Sequence, residues 1–316
     1  MKTAFLYAGQ GSQHTGMGLD LYNAKPEFKE AYIEAEAARP GILSAIFDNP
    51  DNILMQTEYT QPAMVAFACG VTSLLKKANI TPDACLGLSL GEYSALAAAE
   101  VWNTEDAIRI AAFRGHQMAL AAKDGQWGMS AVLGLTPEQV SSCCQEGAFA
   151  CNLNCPGQVV IGGEKNAVEE SAKKAKEAGA KRCLPLSVSG PFHTPFMKRA
   201  ADALQHFLPS FSFAPLKTKV IYNTTGDDAG LLPGEPCKDA LIDILTRQVQ
   251  SPVHMQSSLE HLLQEGYDTF VEIGPGKALS GFIKKTASSL GISSDQYRII
   301  TIETLEDLEN AIKELS

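Results

Sequence analysis

The segment Gly87-Leu88-Ser89-Leu90-Gly91 sets a serine midway between two glycines. Residues 84–88 read as a buried strand and 93–99 as a small-residue helix, so Ser89 falls on a tight strand-to-helix turn. Such a turn lifts the hydroxyl above the end of a sheet, and flanking glycines let strand and helix meet without a Cβ clash. The amide of Leu90 then points to where an oxyanion would form on an attacked carbonyl, with the helix N-terminus adding positive potential. Ser89 is expected to be a nucleophile. The elbow alone does not separate a hydrolase from an acyl transferase.

A nucleophilic serine needs a base, and six histidines are candidates. His116, His206, His254 and His261 lie in or beside predicted helices, and His14 follows the first strand. His193 stands in Ser189-Gly190-Pro191-Phe192-His193-Thr194-Pro195, where two prolines and a glycine restrict the backbone around it. That loop placement favours His193. No acid occupies the place that an α/β-hydrolase triad would give it, and about 120 residues follow the histidine, which does not suit that order. A Ser–His dyad is therefore expected.

Two further groups carry candidate chemistry. Arg114 sits on the helix after the elbow helix, in Arg114-Gly115-His116-Gln117-Met118. An arginine on a helix ordinarily faces solvent; the chemical alternative is a forked clamp on a substrate carboxylate. Gly9-Gln10-Gly11-Ser12-Gln13 lacks the ending of a phosphate loop, but a glycine-rich loop after a strand can supply oxyanion amides.

The elements that must position these groups alternate between β and α. Strands are expected at 3–8, 84–88, 219–222 and 269–273, with helices at 26–38, 62–78 (Pro62 near its first turn), 93–99, 104–122, 195–208, 239–248 and 256–264. Another helix follows Gly274-Pro275-Gly276, and Leu305, Leu308, Ile312 and Leu315 mark an amphipathic last one. Between 127 and 186 the rhythm becomes β-α-β-β-α-β, the ferredoxin-like order, with Asn154-Cys155-Pro156-Gly157 as a turn between its middle strands. The expected architecture is an α/β-hydrolase-like body with a parallel sheet, discontinuous over 1–126 and 187–316, interrupted by a ferredoxin-like insert at 127–186. The crevice between the two is a natural place for a site.

The chain of 316 residues has 26 basic and 36 acidic side chains, a formal net charge of −10, which argues against nucleic acid as a partner. No apolar run is long enough to span a bilayer, and the start of the chain lacks the apolar core of an export signal. The eight cysteines show no metal-ligand spacing and read as reduced, packed thiols, so a cytoplasmic protein without a membrane partner is expected.

Taken together, the motifs resemble the malonyl-CoA:acyl-carrier-protein transacylase family, acyltransferases of fatty-acid and polyketide synthesis. The resemblance rests on Tyr7 to Gln13, Thr60-Gln61-Pro62-Ala63, Gly87 to Glu92, Arg114-Gly115, Asn154 to Ile161, Phe192-His193 and Glu272 to Gly276, in that order. It implies Ser89 as the acyl-accepting nucleophile, His193 as its base, and the amides of Gln10 and Leu90 as the oxyanion hole. It further implies Arg114 as the partner of the malonyl carboxylate, and the main-chain carbonyl of Gln248 as the group that orients the histidine. Malonyl-CoA and a phosphopantetheinylated acyl carrier protein would be the partners, with no metal or bound cofactor required.

Two positions depart from the family's usual pattern: Ala8 replaces a proline, and Leu88 a histidine beside the nucleophile. Phe192 is similar to the residue of malonyl-selecting members, whose ring crowds a methyl branch; one methyl is worth only ~1–3 kcal/mol. Because the family's carriers are acidic, docking on this acidic chain would need a local basic patch. Lys181, Arg182, Lys198, Arg199, Lys284 and Lys285 are the candidates.

Overall fold

The computed structural model describes residues 1–186 and 190–316. Ser189, and the expected restart of the body at 187, lie outside the described residues. In chain order the strands are β1 (Thr3–Tyr7), β2 (Ala84–Gly87), β3 (Trp127–Leu133), β4 (Ala148–Cys155), β5 (Gln158–Glu164), β6 (Arg182–Leu186), β7 (Lys219–Ile221), β8 (Thr269–Ile273) and β9 (Arg298–Ile302). Five of them form a parallel sheet in the order β7-β2-β1-β8-β9; the other four form a separate sheet, β4-β5-β3-β6. The second sheet is antiparallel throughout, with the strand order that a ferredoxin-like β-α-β-β-α-β unit produces.

The parallel sheet is covered on both faces, and its side chains alternate between two cores as the pleat requires. Phe5 and Tyr7 of β1 join one apolar cluster, whereas Ala4 and Leu6 join the other. Cys85 of β2 packs on the first side, with Ala84 and Leu86 on the second. The antiparallel sheet has a core of its own, built on Val132, Val140, Val159, Ile161 and Val168. An expected α/β body and a ferredoxin-like unit are thus both present.

The two sheets are stitched together at one point that matters for the site. Leu153 donates its amide to the Val253 carbonyl at 2.8 Å, and Val253 donates to Cys151 at 2.9 Å, so β4 pairs with a body segment that follows Gln248.

Several boundaries differ from expectation. The helix expected from Pro62 starts at Thr57, which puts Pro62 inside it and gives up one intrahelical bond. The turn expected over 154–157 shrinks to Pro156-Gly157, because β4 continues through Cys155 with two bulges. The helix expected at 195–208 is a 3₁₀ turn followed by an α-helix at Lys198–Phe207. β9, an edge strand, has no counterpart in the sequence reading. Among the described residues no helix is long and apolar enough to cross a membrane.

Candidate active site

The elbow forms where β2 meets the helix Gly91–Ala98. A Cβ on residue 87 would stand 1.8 Å from the Gly91 carbonyl carbon, so the turn closes only with glycine there. Ser89 itself has φ 53°, a left-handed conformation strained for a residue with a Cβ, and its side chain is only partly buried. Helix, strand and hydroxyl stand as the sequence implies.

His193 reaches the serine. Its Nε2 lies 2.6 Å from Ser89 Oγ, and its Nδ1 lies 2.8 Å from the Gln248 carbonyl oxygen. A carbonyl only accepts, so Nδ1 carries the proton and Nε2 is left as the acceptor for the serine hydroxyl. Burial of the ring, aided by the nearby charge of Arg114, lowers its pKa to about 4 against the opposing pull of the Gln248 carbonyl. The imidazole is therefore neutral at physiological pH and needs no acid to hold it. The other histidines are elsewhere: His14 pairs with Glu303, His116 with Glu58 and His261 with Glu265, while the His206 ring bonds the Asp202 carbonyl. His254 contacts the site only through its backbone, described below.

Arg114 corrects the ordinary expectation for a helical arginine, being 1% exposed. The helix Thr104–Ala122 packs closely on the helix Thr57–Lys77 at Gly115, where a Cβ would stand 2.7 Å from the Thr57 carbonyl. That approach brings Gln61 to the guanidinium. Nη1 donates to Gln61 Oε1 at 2.9 Å, and Nη2 donates to Gln248 Oε1 at 2.9 Å and to Ser89 Oγ at 3.3 Å. Among the described residues no carboxylate pairs with Arg114 in a salt bridge. A neighbouring acid, Glu92, is fully buried, and that burial pushes its pKa up to about 7. A buried cation without an ion-pair partner, beside a reactive hydroxyl, is set to receive an anion.

The loop that carries Gln10 lies against the elbow. Gly9 packs so tightly on the elbow that a Cβ there would stand 2.6 Å from the Leu88 carbonyl oxygen. The Gln10 side chain donates to Thr57 Oγ1 at 3.0 Å, which fixes the loop. Among the described residues neither the Gln10 nor the Leu90 amide donates to a protein acceptor. Gln248 contributes more than its carbonyl: Nε2 donates to the Ser89 carbonyl at 2.7 Å, so one residue touches Ser89, His193 and Arg114.

The two departures have physical accounts. Ala8 keeps an amide that proline lacks and donates it to the Ile273 carbonyl at 3.1 Å. Leu88 packs on the core face that holds Cys155 and Val253, at the seam between the sheets. A cavity of ≈ 360 Å³ opens beside His193, with Cys144, Phe149 and Ala150 on one wall and Pro195, Gln250 and Ser251 on the other. A larger concavity around Arg39, Glu58 and His116 contains neither Ser89 nor His193. Of the six basic candidates, Lys181, Arg182, Lys284 and Lys285 line one groove, while Lys198 and Arg199 do not and Lys198 pairs with Asp202.

In the sequence Gln61 is legible only as part of the Thr60-Gln61-Pro62-Ala63 motif; its bond to Arg114 needs the Gly115 helix crossing, which no local pattern encodes. The fold and the nucleophile elbow define the class, an α/β acyltransferase. The chain belongs to the acyl transferase domain family, whose pattern matches residues 4–306. It is 38% identical over 315 residues to the malonyl CoA-acyl carrier protein transacylase of Staphylococcus aureus (strain MRSA252), covering 98% of this chain and 97% of that one. Against the protein of the same name from Bacillus subtilis (strain 168) the identity is 39%, over 98% and 99%. Among solved structures, MCAT from Streptococcus pneumoniae superimposes with a TM-score of 0.88 at 37% identity, covering 99% of this chain and 100% of that one. A malonyl-transacylase in complex with a type II PKS acyl-carrier protein gives 0.90 at 32% identity, with 99% and 100% coverage.

Proposed function

We propose that this acyltransferase moves a malonyl group from malonyl-CoA to the phosphopantetheine thiol of an acyl carrier protein through a malonyl-Ser89 intermediate. His193 Nε2 takes the Ser89 hydroxyl proton as Oγ attacks the thioester carbon. The oxyanion is held by the Gln10 and Leu90 amides and collapses to expel CoA, whose sulfur takes the proton back from His193. The carrier thiol then gives its proton to His193, attacks the acyl-serine and regenerates the hydroxyl. Arg114 holds the malonyl carboxylate in both halves, and Gln248 keeps the imidazole in its productive tautomer. The observation that carries the malonyl assignment is the buried Arg114, 3.3 Å from Ser89 Oγ and without a salt-bridge partner among the described residues. The test is transfer from malonyl-, methylmalonyl- and acetyl-CoA to a holo carrier protein. Malonyl should be preferred, and CoA release beyond the first equivalent per enzyme should depend on the thiol; continued thiol-independent release would make the protein a hydrolase.

The low pKa of His193 has a kinetic consequence. At pH 5.5 a histidine titrating at ~6.5 would be only about one-tenth neutral. His193, with its pKa lowered to about 4, stays almost wholly neutral there. The acid limb of kcat/KM for acylation should therefore fall below pH 5. A half-maximal point near 6.5 would mean that His193 is not the base, or that it is more solvated than its geometry implies.

The groove of ≈ 650 Å³ that gathers Lys181, Arg182, Lys284 and Lys285 is our candidate surface for an acidic carrier. Among the described residues none of the four pairs with a carboxylate in a salt bridge. Charge reversal at Lys284 and Lys285 should raise the KM for carrier several-fold and steepen nothing toward malonyl-CoA; an unchanged carrier KM would remove the groove from the mechanism. The separate sheets, and a cluster of Val132, Val140, Val159, Ile161 and Val168 confined to one face of the antiparallel one, support a division into a body of 1–126 and 187–316 and an insert of 127–186. The other face of the insert packs on the body through Met129, Ala131, Cys151 and Val160. All eight cysteines are free thiols, which supports a cytoplasmic location.

A further inference from the structure

The structure assigns to Asn223 the task of positioning the nucleophile elbow, a role that rests on reading Ser89 as the nucleophile. β2 and β7 pair in parallel from Ala84–Lys219 to Leu86–Ile221, and there the backbone ladder stops. Asn223 stands two residues beyond the end of β7 and is fully buried. Its Nδ2 donates to the Gly87 carbonyl at 2.7 Å, and its Oδ1 accepts from the Ser89 amide at 2.6 Å. In a parallel ladder, one residue donates to the carbonyl of residue i−1 on its neighbour and accepts from the amide of i+1. The carboxamide makes that same pair of bonds around Leu88. It acts as a surrogate peptide group, carrying the ladder past the point where the backbones part.

The elbow needs such a group. A left-handed serine persists only where its surroundings over-determine it, and a buried amide or carbonyl without a partner is unfavourable. The orientation of the carboxamide is unambiguous, because both of its partners are backbone groups of fixed polarity. Asn223 is itself anchored: its amide donates to Glu92 Oε2 at 2.6 Å, and its carbonyl accepts from the His254 amide at 2.8 Å. With the Ser89 amide engaged, the Leu90 amide is the elbow donor left for an oxyanion. Loosening the turn would displace Oγ from His193 Nε2, and a misplacement of about 1 Å can lower a rate ~10²-fold.

The test measures malonyl-enzyme formation by rapid quench and intact mass between pH 5 and 8 for the wild type, N223A and N223D. N223A should acylate ~10²-fold more slowly, with the KM for malonyl-CoA changed by less than about threefold. N223D keeps the acceptor for the Ser89 amide but, when ionised, opposes oxygen to oxygen at Gly87; once protonated, it donates there again. The titratable residues bonded to position 223 are Glu92 and, through its backbone, His254. Glu92, pushed up to about 7 by burial, titrates inside this range in wild type and variants alike and so cancels in the ratios, and His193 stays neutral. The N223D-to-wild-type ratio should thus rise at least ~tenfold from pH 8 to 5, while the N223A ratio stays flat. Loss of packing alone would give two flat ratios. If the wild type forms no malonyl adduct, the reading of Ser89 fails. If it does, and N223A acylates normally or the N223D ratio is flat, the role of Asn223 is overturned. Should N223A not fold, the N223D ratio decides.

Discussion

Ser89→Ala should abolish the malonyl-protein adduct seen by intact mass after exposure to malonyl-CoA, and transfer to the carrier should fall by at least ~10⁴-fold. The reason is geometric. Ser89 Oγ lies 2.6 Å from the imidazole nitrogen that is free to accept a proton, because Nδ1 is committed to Gln248. Alanine removes the acceptor atom for the acyl group, yet it leaves the Gln10 and Leu90 amides and Arg114 in place. Malonyl-CoA should therefore still bind, with an affinity close to that of the wild type. An adduct that survives in Ser89→Ala would place the acyl group on another residue and end the proposed mechanism.

Arg114→Ala should lower kcat/KM for malonyl transfer by ~10²–10³-fold, equivalent to about 3–4 kcal/mol for a desolvated, charge-assisted pair. Acetyl transfer should fall by less than about tenfold. The wild type should thus prefer malonyl, and the variant should lose most of that preference. Some acetyl loss is expected, since Nη2 also bonds Gln248 Oε1 and Ser89 Oγ. Arg114→Lys should recover little, because an ammonium cannot reach Gln61, Gln248 and a carboxylate in the same plane. Equal losses for malonyl and acetyl would show that Arg114 only braces the site.

These two expectations draw on different kinds of information. Ser89 was legible because its signal is local: an apolar strand, two glycines and a small-residue helix are contiguous, and the turn they specify dictates where the hydroxyl points. His193 was half legible, through the rigidity of its loop, though nothing near it in sequence names its partners. The role of the Gln248 carbonyl and that of Arg114 came from family resemblance. Their reach depends on helices that cross at Gly115 and on a segment that runs from Gln248 to Val253 before pairing with β4. Gln61 and Asn223 escaped as individual roles for the same reason, being distant in sequence from the groups they bond.

Local sequence is enough for the alternation of buried strands and amphipathic helices, the ferredoxin-like interruption and the elbow, because periodicity and turn chemistry are set by neighbouring residues. It left element edges loose, as at Thr57 and Cys155, where packing extends a helix or strand beyond its local signal. The neutral state of His193 and the burial of Arg114 come from packing between elements far apart in the chain. Both follow from removing water and fixing distant dipoles around a charge, and no stretch of chain does that alone.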